Sequence, residues 1–370
     1  MTDTPALAKR KPRLPVGSLA VLGLFVLILG LTMGGVINKY IQSVLMFIGI
    51  NIIFSSSLNI VNGYMGEFAC GHGGFMAVGA YVSSVLSVVL FSPNDFTGQP
   101  LLPPGSAVFL FPLVIIAGGL VAAVFGLLVA IPSFKTRDDY LAIITIAANF
   151  IIVTLINNIE FVGGSRGFMG MKKTLKAMEG VIDLPYMLIW IFFFVVASLV
   201  LIRRLMSSTF GKGITSIRYD EIASEIMSVN TNHMKVVAFM FSSGLAGIAG
   251  GLFAHVMGFV NPASFNIFKS TEGLVMVYLG GMGSLSGSVL SAVFFTLLLE
   301  ALRPLQILKW VIIPLMLILL MQFRPEGFLG NRELTDVFPR LKRIFSRGDG
   351  GSGSGGAGKP VDAAGEASNG

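Results

Sequence analysis

The sequence predicts an all-α polytopic membrane protein with about ten transmembrane helices, some of them short or broken. Three observations carry that expectation. Of 370 residues, 54% are hydrophobic and only 12% are charged, against about 25% charged in a soluble domain. Mean hydropathy is +0.81. The apolar residues also fall into runs of about 20, the length a helix needs to cross the hydrocarbon core. A soluble enzyme, a disordered chain and a disulfide-stapled scaffold are excluded. Cys70 is the sole cysteine, and an intrachain bridge needs two.

The elements follow in order. Residues 1–15 are an amino-terminal segment carrying Lys9, Arg10, Lys11 and Arg13. The run 16–36 exceeds the 7–15 residues of a cleaved signal core, and no A-x-A-like site follows it. It reads as a retained first span with a cytosolic amino terminus. Spans 41–61 and 72–91 flank a glycine-rich stretch. Segment 92–105 is Pro-rich and nearly uncharged, an outer loop ahead of span 106–131. Spans 141–157 and 185–202 enclose the polar segment 158–184, long enough for a short surface helix. Segment 203–234 is the most polar stretch between helices, and span 235–257 follows it. Spans 272–283 and 285–302 make one apolar stretch interrupted by Gly280, Gly281, Gly283 and Gly287. One kinked helix, two short helices or a re-entrant pair all satisfy it, because broken helices are tolerated where protein or a cavity covers them. The last span is 309–323, and the membrane domain is taken as 16–330. The tail 331–370 is basic at Arg340, Lys342, Arg343 and Arg347, then rich in Gly and Ser. Its composition reads as a disordered appendage. The basic run is either a stop-transfer flank or a contact for anionic lipid headgroups.

Ten spans put both termini on one side. The amino terminus, the loops 132–140 and 203–234 with Lys235, and the chain after residue 323 then hold 18 of the 26 basic residues. Such a bias marks the cytosolic face. Segment 158–184 is the exception, holding four of the other eight. The net charge of +7 is thereby an orienting signal, and no basic stripe interleaved with aromatics points to nucleic acid.

Ionisable groups within the spans are few: Glu67, His72, His255, Glu272 and Glu300. Charges at membrane depth are costly and mark function. Their scarcity favours a path for an uncharged or zwitterionic, hydrophobic solute, driven from outside the chain. G-x-x-x-x-G-K-[ST] is absent, so no triphosphate is cradled by that route. Three scattered histidines make no metal site. Cys70, His72 and Glu67 yield no convergent catalytic set, so no catalytic residue and no enzyme activity are expected.

Two glycine-rich breaks stand out. The first, 62–74, contains Gly63, Gly66, Glu67, Gly71, His72 and Gly73. The second, 280–287, contains Gly280, Gly281, Gly283 and Gly287. Two readings stay open: close helix packing, or a path lining or hinge of the kind discontinuous helices form in transporters. In the polar loop, 216–227 (SIRYDEIASEIM) reads as a short amphipathic helix with Ile222 and Ile226 on one face. Asp220 and Glu221 lie near its amino end, where the helix dipole favours acids. It is suited to a groove on a soluble partner, although a solvated loop helix explains the same pattern.

Residues 211–239 (GKGITSIRYDEIASEIMSVNTNHMKVVAF) resemble the cytosolic coupling segment of permease subunits of ABC importers for branched-chain amino acids. The resemblance continues in 243–252 (SGLAGIAGGL), 259–265 (FVNPASF), 277–287 (VYLGGMGSLSG) and 323–330 (FRPEGFLG), and upstream in 58–81. Residues 136–142 (TRDDYLA) and 163–167 (GGSRG) are similar to the LivM-type branch more than to the LivH-type branch. The resemblance implies a type II ABC-importer-like permease in a bacterial inner membrane. It implies a LivH-type second permease, two cytosolic ATPase subunits that bind the ATP and Mg, and a periplasmic substrate-binding protein. No cofactor is expected on this chain. A coupling helix over 217–230 would enter the ATPase, with Glu221 and Ala223 as the family's acid and small residue, flanked by Arg218, Asp220 and Asn230. Departures from the family pattern are Ser228 for Gly, Glu67 for Gln, and Ser288 and Ser291 for Pro and Gly. Urea and short-chain amide permeases share the group. A self-sufficient secondary transporter or channel remains the alternative of a different class, with Glu67, Glu272 or Glu300 essential.

Overall fold

The computed structural model describes residues 16–92, 98–135, 140–179, 185–305, 308–323, 327–328 and 330. The amino-terminal segment, the basic and Gly/Ser-rich tail, and the TRDD stretch 136–139 lie outside the described residues. Helix α1 (Val16–Met33) precedes α2 (Lys39–Asn59), which a π-helical turn (Ile60–Met65) extends into the first glycine-rich break. Then come α3 (His72–Phe91), α4 (Ala107–Ser133) and α5 (Tyr140–Asn158). The polar segment after α5 holds strand β1 (Phe168–Met169) and the surface helix α6 (Met171–Glu179). Helix α7 (Tyr186–Ser207) leads through α8 (Thr209–Tyr219) and α9 (Glu221–Ile226) into α10 (Thr231–Met257). Strand β2 (Phe259–Val260), α11 (Ile267–Gly280), α12 (Leu285–Ala301) and α13 (Lys309–Phe323) complete the order. Six helices among the described residues are long and apolar enough to cross a membrane: α2 with its π-helical turn, α3, α4, α5, α7 and α10. The chain is an all-α, multi-pass membrane protein.

Helix α4 shows why these segments suit lipid. Phe109, Leu113, Leu120, Val124 and Leu128 recur at helical spacing and are exposed. Phe111, Ile115, Ala122 and Ala130, on the other side, are buried. A helix apolar on every face has no side to offer water. Five large side chains face outward, while Ala122 and Ala130 pack inward alongside Phe111 and Ile115.

Helix α10 is the centre, packed against α4, α3 and α2. Between α3 and α10, a Cβ on Gly79 would overlap the backbone of Gly247. In lipid, helix association rests on such close van der Waals approach rather than on hydrophobic burial. Polar ties supplement it. Ser242 donates to the Ser57 carbonyl at 2.5 Å, which orients its oxygen to accept from His72 Nε2 at 2.7 Å. His255 holds the Gly251 carbonyl through Nδ1 at 2.7 Å, with Ser87 Oγ 2.9 Å from Nε2. At the opposite end from the polar loop of α10, β1 pairs antiparallel with β2 through Phe168 and Val260.

The interrupted stretch 272–302 resolves as two separate helices. α11 starts earlier than the hydropathy suggests, at Ile267, because Asn266 accepts from the Phe268 amide at 3.1 Å and caps it. α12 begins where Ser284 accepts from the Gly287 amide at 3.1 Å.

Replacing Gly79 with Val inserts three carbons where backbone meets backbone. We expect a loss of about 1–3 kcal/mol or more, read as a lower unfolding temperature of the detergent-solubilised protein.

Candidate functional site

The two glycine-rich breaks and the polar segment 203–234 meet at one end of the bundle. Asn59, the last residue of α2, joins the breaks: Nδ2 donates to the Ser284 carbonyl and Oδ1 accepts from the Gly283 amide, each at 3.0 Å. Both groups belong to the turn between α11 and α12: the Gly283 amide has its partner in Asn59, while the Ser284 carbonyl also accepts from the Ser288 amide at 3.2 Å. Gly66 ends the π-helical turn with φ 82°, in the left-handed region that favours glycine. The stem of Arg218, from the last turn of α8, occupies the space a side chain there would need. Around this junction lies a cavity of about 270 Å³ lined by Asn62, Gly66, Glu67, Phe68, Arg218, Tyr278 and Met282.

Beside the cavity stands a charge cluster. Lys235 Nζ, from the second turn of α10, is 2.6 Å from Glu67 Oε1 and 2.8 Å from Glu221 Oε1. The side chains of Lys235 and Glu67 are only 6% and 11% exposed. A buried ammonium persists only when paired, and here it is shared between the first break and the polar loop. The other carboxylates of the spans are also paired. Glu272 meets Lys269 at 2.8 Å. Glu300 meets Arg303 at 2.9 Å and accepts from the Tyr40 hydroxyl.

The remaining break residues sit elsewhere. Gly71 packs on the Thr145 backbone, and the Gly73 amide donates to Ser270 Oγ at 2.9 Å. His72 is fully buried among Phe75, Phe239 and Ser242. These three lock the start of α3 against α5, α11 and α10, and line no part of the cavity. Gly63 lies against Gly283, while Gly280 packs against Gly287 between α11 and α12. Gly281 and Gly283 form the intervening turn, both at positive φ.

The single helix expected over 216–227 is two helices. Asp220 is extended (φ −160°, ψ 110°) and its carboxylate accepts from the Ala223 amide at 2.9 Å. That local bond ends α8 and caps α9, because a short acid competes with the helix ladder for amides. The span expected for a coupling helix, 217–230, therefore contains the end of α8, the break and all of α9. α9 closes in a Schellman motif: Val229 donates to the Ser224 carbonyl and Ser228 to the Glu225 carbonyl. Ser228 is the position with positive φ, 62°, that glycine ordinarily fills. Asn230 then caps α10 by accepting from the His233 amide at 3.1 Å.

The inward side of α9 is fully tied. Glu221 meets Lys235, Ser224 donates to Ser216 Oγ at 3.2 Å, and Glu225 accepts from Thr231 at 2.7 Å. Its outward side is bare: Ile222, Ile226 and Met227 are 73–78% exposed, beside exposed Tyr219. Sequence patterning identified Ile222 and Ile226. It did not single out Asn59, Lys235, Tyr278 or Met282 as site residues. Asn59 and Tyr278 border the breaks, and a polar or aromatic residue flanking a glycine run was the available signal. Lys235 had none, since its partners lie 14 and 168 positions away. The chain after α13 also returns here, with the Phe328 amide donating to the Leu279 carbonyl at 2.8 Å.

Asn59→Ala strands the Gly283 amide and takes one of its donors from the Ser284 carbonyl, and we expect it to cost about 1–3 kcal/mol in thermal unfolding. Ser228→Gly relieves a left-handed residue. An increase of about 1 kcal/mol in the same measurement is expected.

A family model described as the branched-chain amino acid transport system / permease component matches residues 40–321. The chain is 31% identical over 324 residues to the high-affinity branched-chain amino acid transport system permease protein LivM of Escherichia coli K12, covering 81% of this chain and 72% of that protein. It is 32% identical over 304 residues to the LivM protein of Salmonella typhimurium, covering 76% and 68%. Against the LivH permease protein of Escherichia coli K12 it is 24% identical over 294 residues, covering 75% and 90%. No solved structure matches.

Proposed function

The chain belongs to the branched-chain amino acid transport system permease family, LivM type, and from that membership we propose that it is the membrane-spanning permease subunit of an ATP-driven importer for branched-chain, hydrophobic amino acids. In this reading it pairs with a LivH-type permease in the bacterial inner membrane. A periplasmic binding protein delivers substrate, and two cytosolic ATPase subunits bind the ATP and Mg. The fold would be the type II importer arrangement with ten spans, the short helices α1, α11, α12 and α13 completing the six long ones. Both termini and the loop 203–234 would face the cytosol, following the basic residues.

The observation that carries the proposal is the exposed apolar face of α9. Tyr219, Ile222, Ile226 and Met227 stand out from the most polar segment of the chain, where lipid does not account for them. Exposed apolar groups in a polar setting mark a protein contact. ATP binding in the partner pair would shift α9, and the permease pair would alternate between outward and inward openings. A self-sufficient ion-coupled transporter is less well supported, since Glu67, Glu272 and Glu300 are each engaged by a cation within the chain. Transport of urea or a short-chain amide is the second reading within the family.

The complete transporter in proteoliposomes, with its binding protein, should take up radiolabelled leucine only when ATP is supplied. Excess urea or acetamide should not compete. Leucine uptake without ATPase subunits overturns the proposal. Ile222→Asp with Ile226→Asp should abolish ATP-driven uptake while the chain stays in the membrane, because apolar anchors at an interface centre contribute about 2 kcal/mol or more each. Uptake at the wild-type rate would remove α9 from the coupling role.

A further inference from the structure

We propose that Lys235 is the positioning residue through which displacement of α9 reaches the Gly66 hinge and the cavity beside it. This rests on the coupling reading above. It adds the physical link between the docking helix and the first glycine-rich break.

The link is built from three parts of unequal firmness. Lys235 belongs to α10, which is wedged against α2, α3 and α4 through contacts as close as Gly79 on Gly247. Its ammonium is therefore a fixed post. Glu221 opens a helix of only six residues, which is held to the bundle mainly by side-chain bonds on one side and has an apolar outer face. A partner seated on Ile222 and Ile226 moves Glu221 with it. Glu67 follows Gly66, the residue at which the π-helical turn gives way to extended chain, and lines the cavity. One ammonium thus serves two carboxylates from two separate segments.

Sharing makes the two contacts depend on each other. When Glu221 withdraws, Glu67 keeps the ammonium's N–H donors to itself and loses the repulsion of the second carboxylate. When Glu221 closes in, the two carboxylates compete for it. Lys235 and Glu67 are nearly excluded from water, so this exchange is weakly screened. A second grip runs in parallel: Arg218, in the turn preceding Asp220, fills the side-chain space that Gly66 leaves open and also lines the cavity. Movement about the Asp220 break therefore bears on both Gly66 and Glu67. The hinge, the cavity wall and the docking helix share one set of charges.

A purely structural role would have Lys235 do no more than neutralise two neighbouring acids. That role predicts that removing all three charges together is harmless. The test uses the assembled transporter in proteoliposomes, with wild type, Lys235→Arg, and the triple variant Glu67→Gln, Lys235→Met, Glu221→Gln. Leucine taken up per ATP hydrolysed is the readout, with ATPase co-purification and unfolding temperature measured in parallel. Lys235→Arg should stay within about twofold of wild type, and the triple variant should retain its ATPases yet move roughly tenfold less leucine per ATP, within the usual range of coupling between sites. A triple variant with the wild-type ratio overturns the inference and leaves the permease reading intact. Should the triple variant not fold, Glu221→Gln alone removes a half-exposed partner and should lower the same ratio. An unchanged ratio there also overturns the inference. If the wild type shows no ATP-driven uptake, the permease reading fails first and this inference with it.

Discussion

Within hydrocarbon, no backbone amide or carbonyl can be left to water, so a helix that breaks there must find its partners in the protein. The fold is organised around that constraint. Its two glycine-rich breaks lie side by side, and Asn59 serves the turn between α11 and α12 from the end of α2. The start of α3 is served in the same way, by Thr145 Oγ1 on the Cys70 amide and Ser270 Oγ on the Gly73 amide. Each break is possible because a neighbouring helix supplies a polar side chain at its level. The breaks are consequently where helices α2, α3, α5, α11 and α12 are cross-linked.

The same economy governs charge. The carboxylates Glu67, Glu272 and Glu300 are each held by a cation, and the cluster with the broadest reach joins Glu67 of the first break to Glu221 of the polar loop through Lys235. At Glu67 a carboxylate is present, together with a buried ammonium to meet it. The cavity at this junction gathers backbone flexibility, charge and the nearest approach of the polar loop. None of these features alone distinguishes a hinge from a packing contact. Their coincidence in one place favours a moving part.

The polar loop shows how local chemistry shapes a docking surface. Asp220, Ser228 and Asn230 each act on the backbone, as cap, left-handed turn and cap. Glu221, Ser224 and Glu225 tie α9 inward. Both sets of ties leave Ile222 and Ile226 pointing away from the bundle. Glu221 and Ala223 thus have local duties in this chain: Glu221 engages Lys235, and the Ala223 amide satisfies the Asp220 cap.

The sequence by itself determined the class and the order of the parts. Apolar runs mark where helices form, because burying about 20 residues in hydrocarbon leaves few alternatives to a helix. Glycine runs mark where helices break, and a helix-spaced Ile222 and Ile226 mark an apolar face. These are short-range signals. Tertiary structure alone decided that the two breaks and the loop converge, that α8 and α9 part at Asp220, that His72 belongs to the core rather than the cavity, and that Lys235 holds both Glu67 and Glu221. Contacts between residues 14 and 168 positions apart carry no periodic trace along the chain. They arise only when the close packing of α10 on α3 and α4 fixes which side chains face one another.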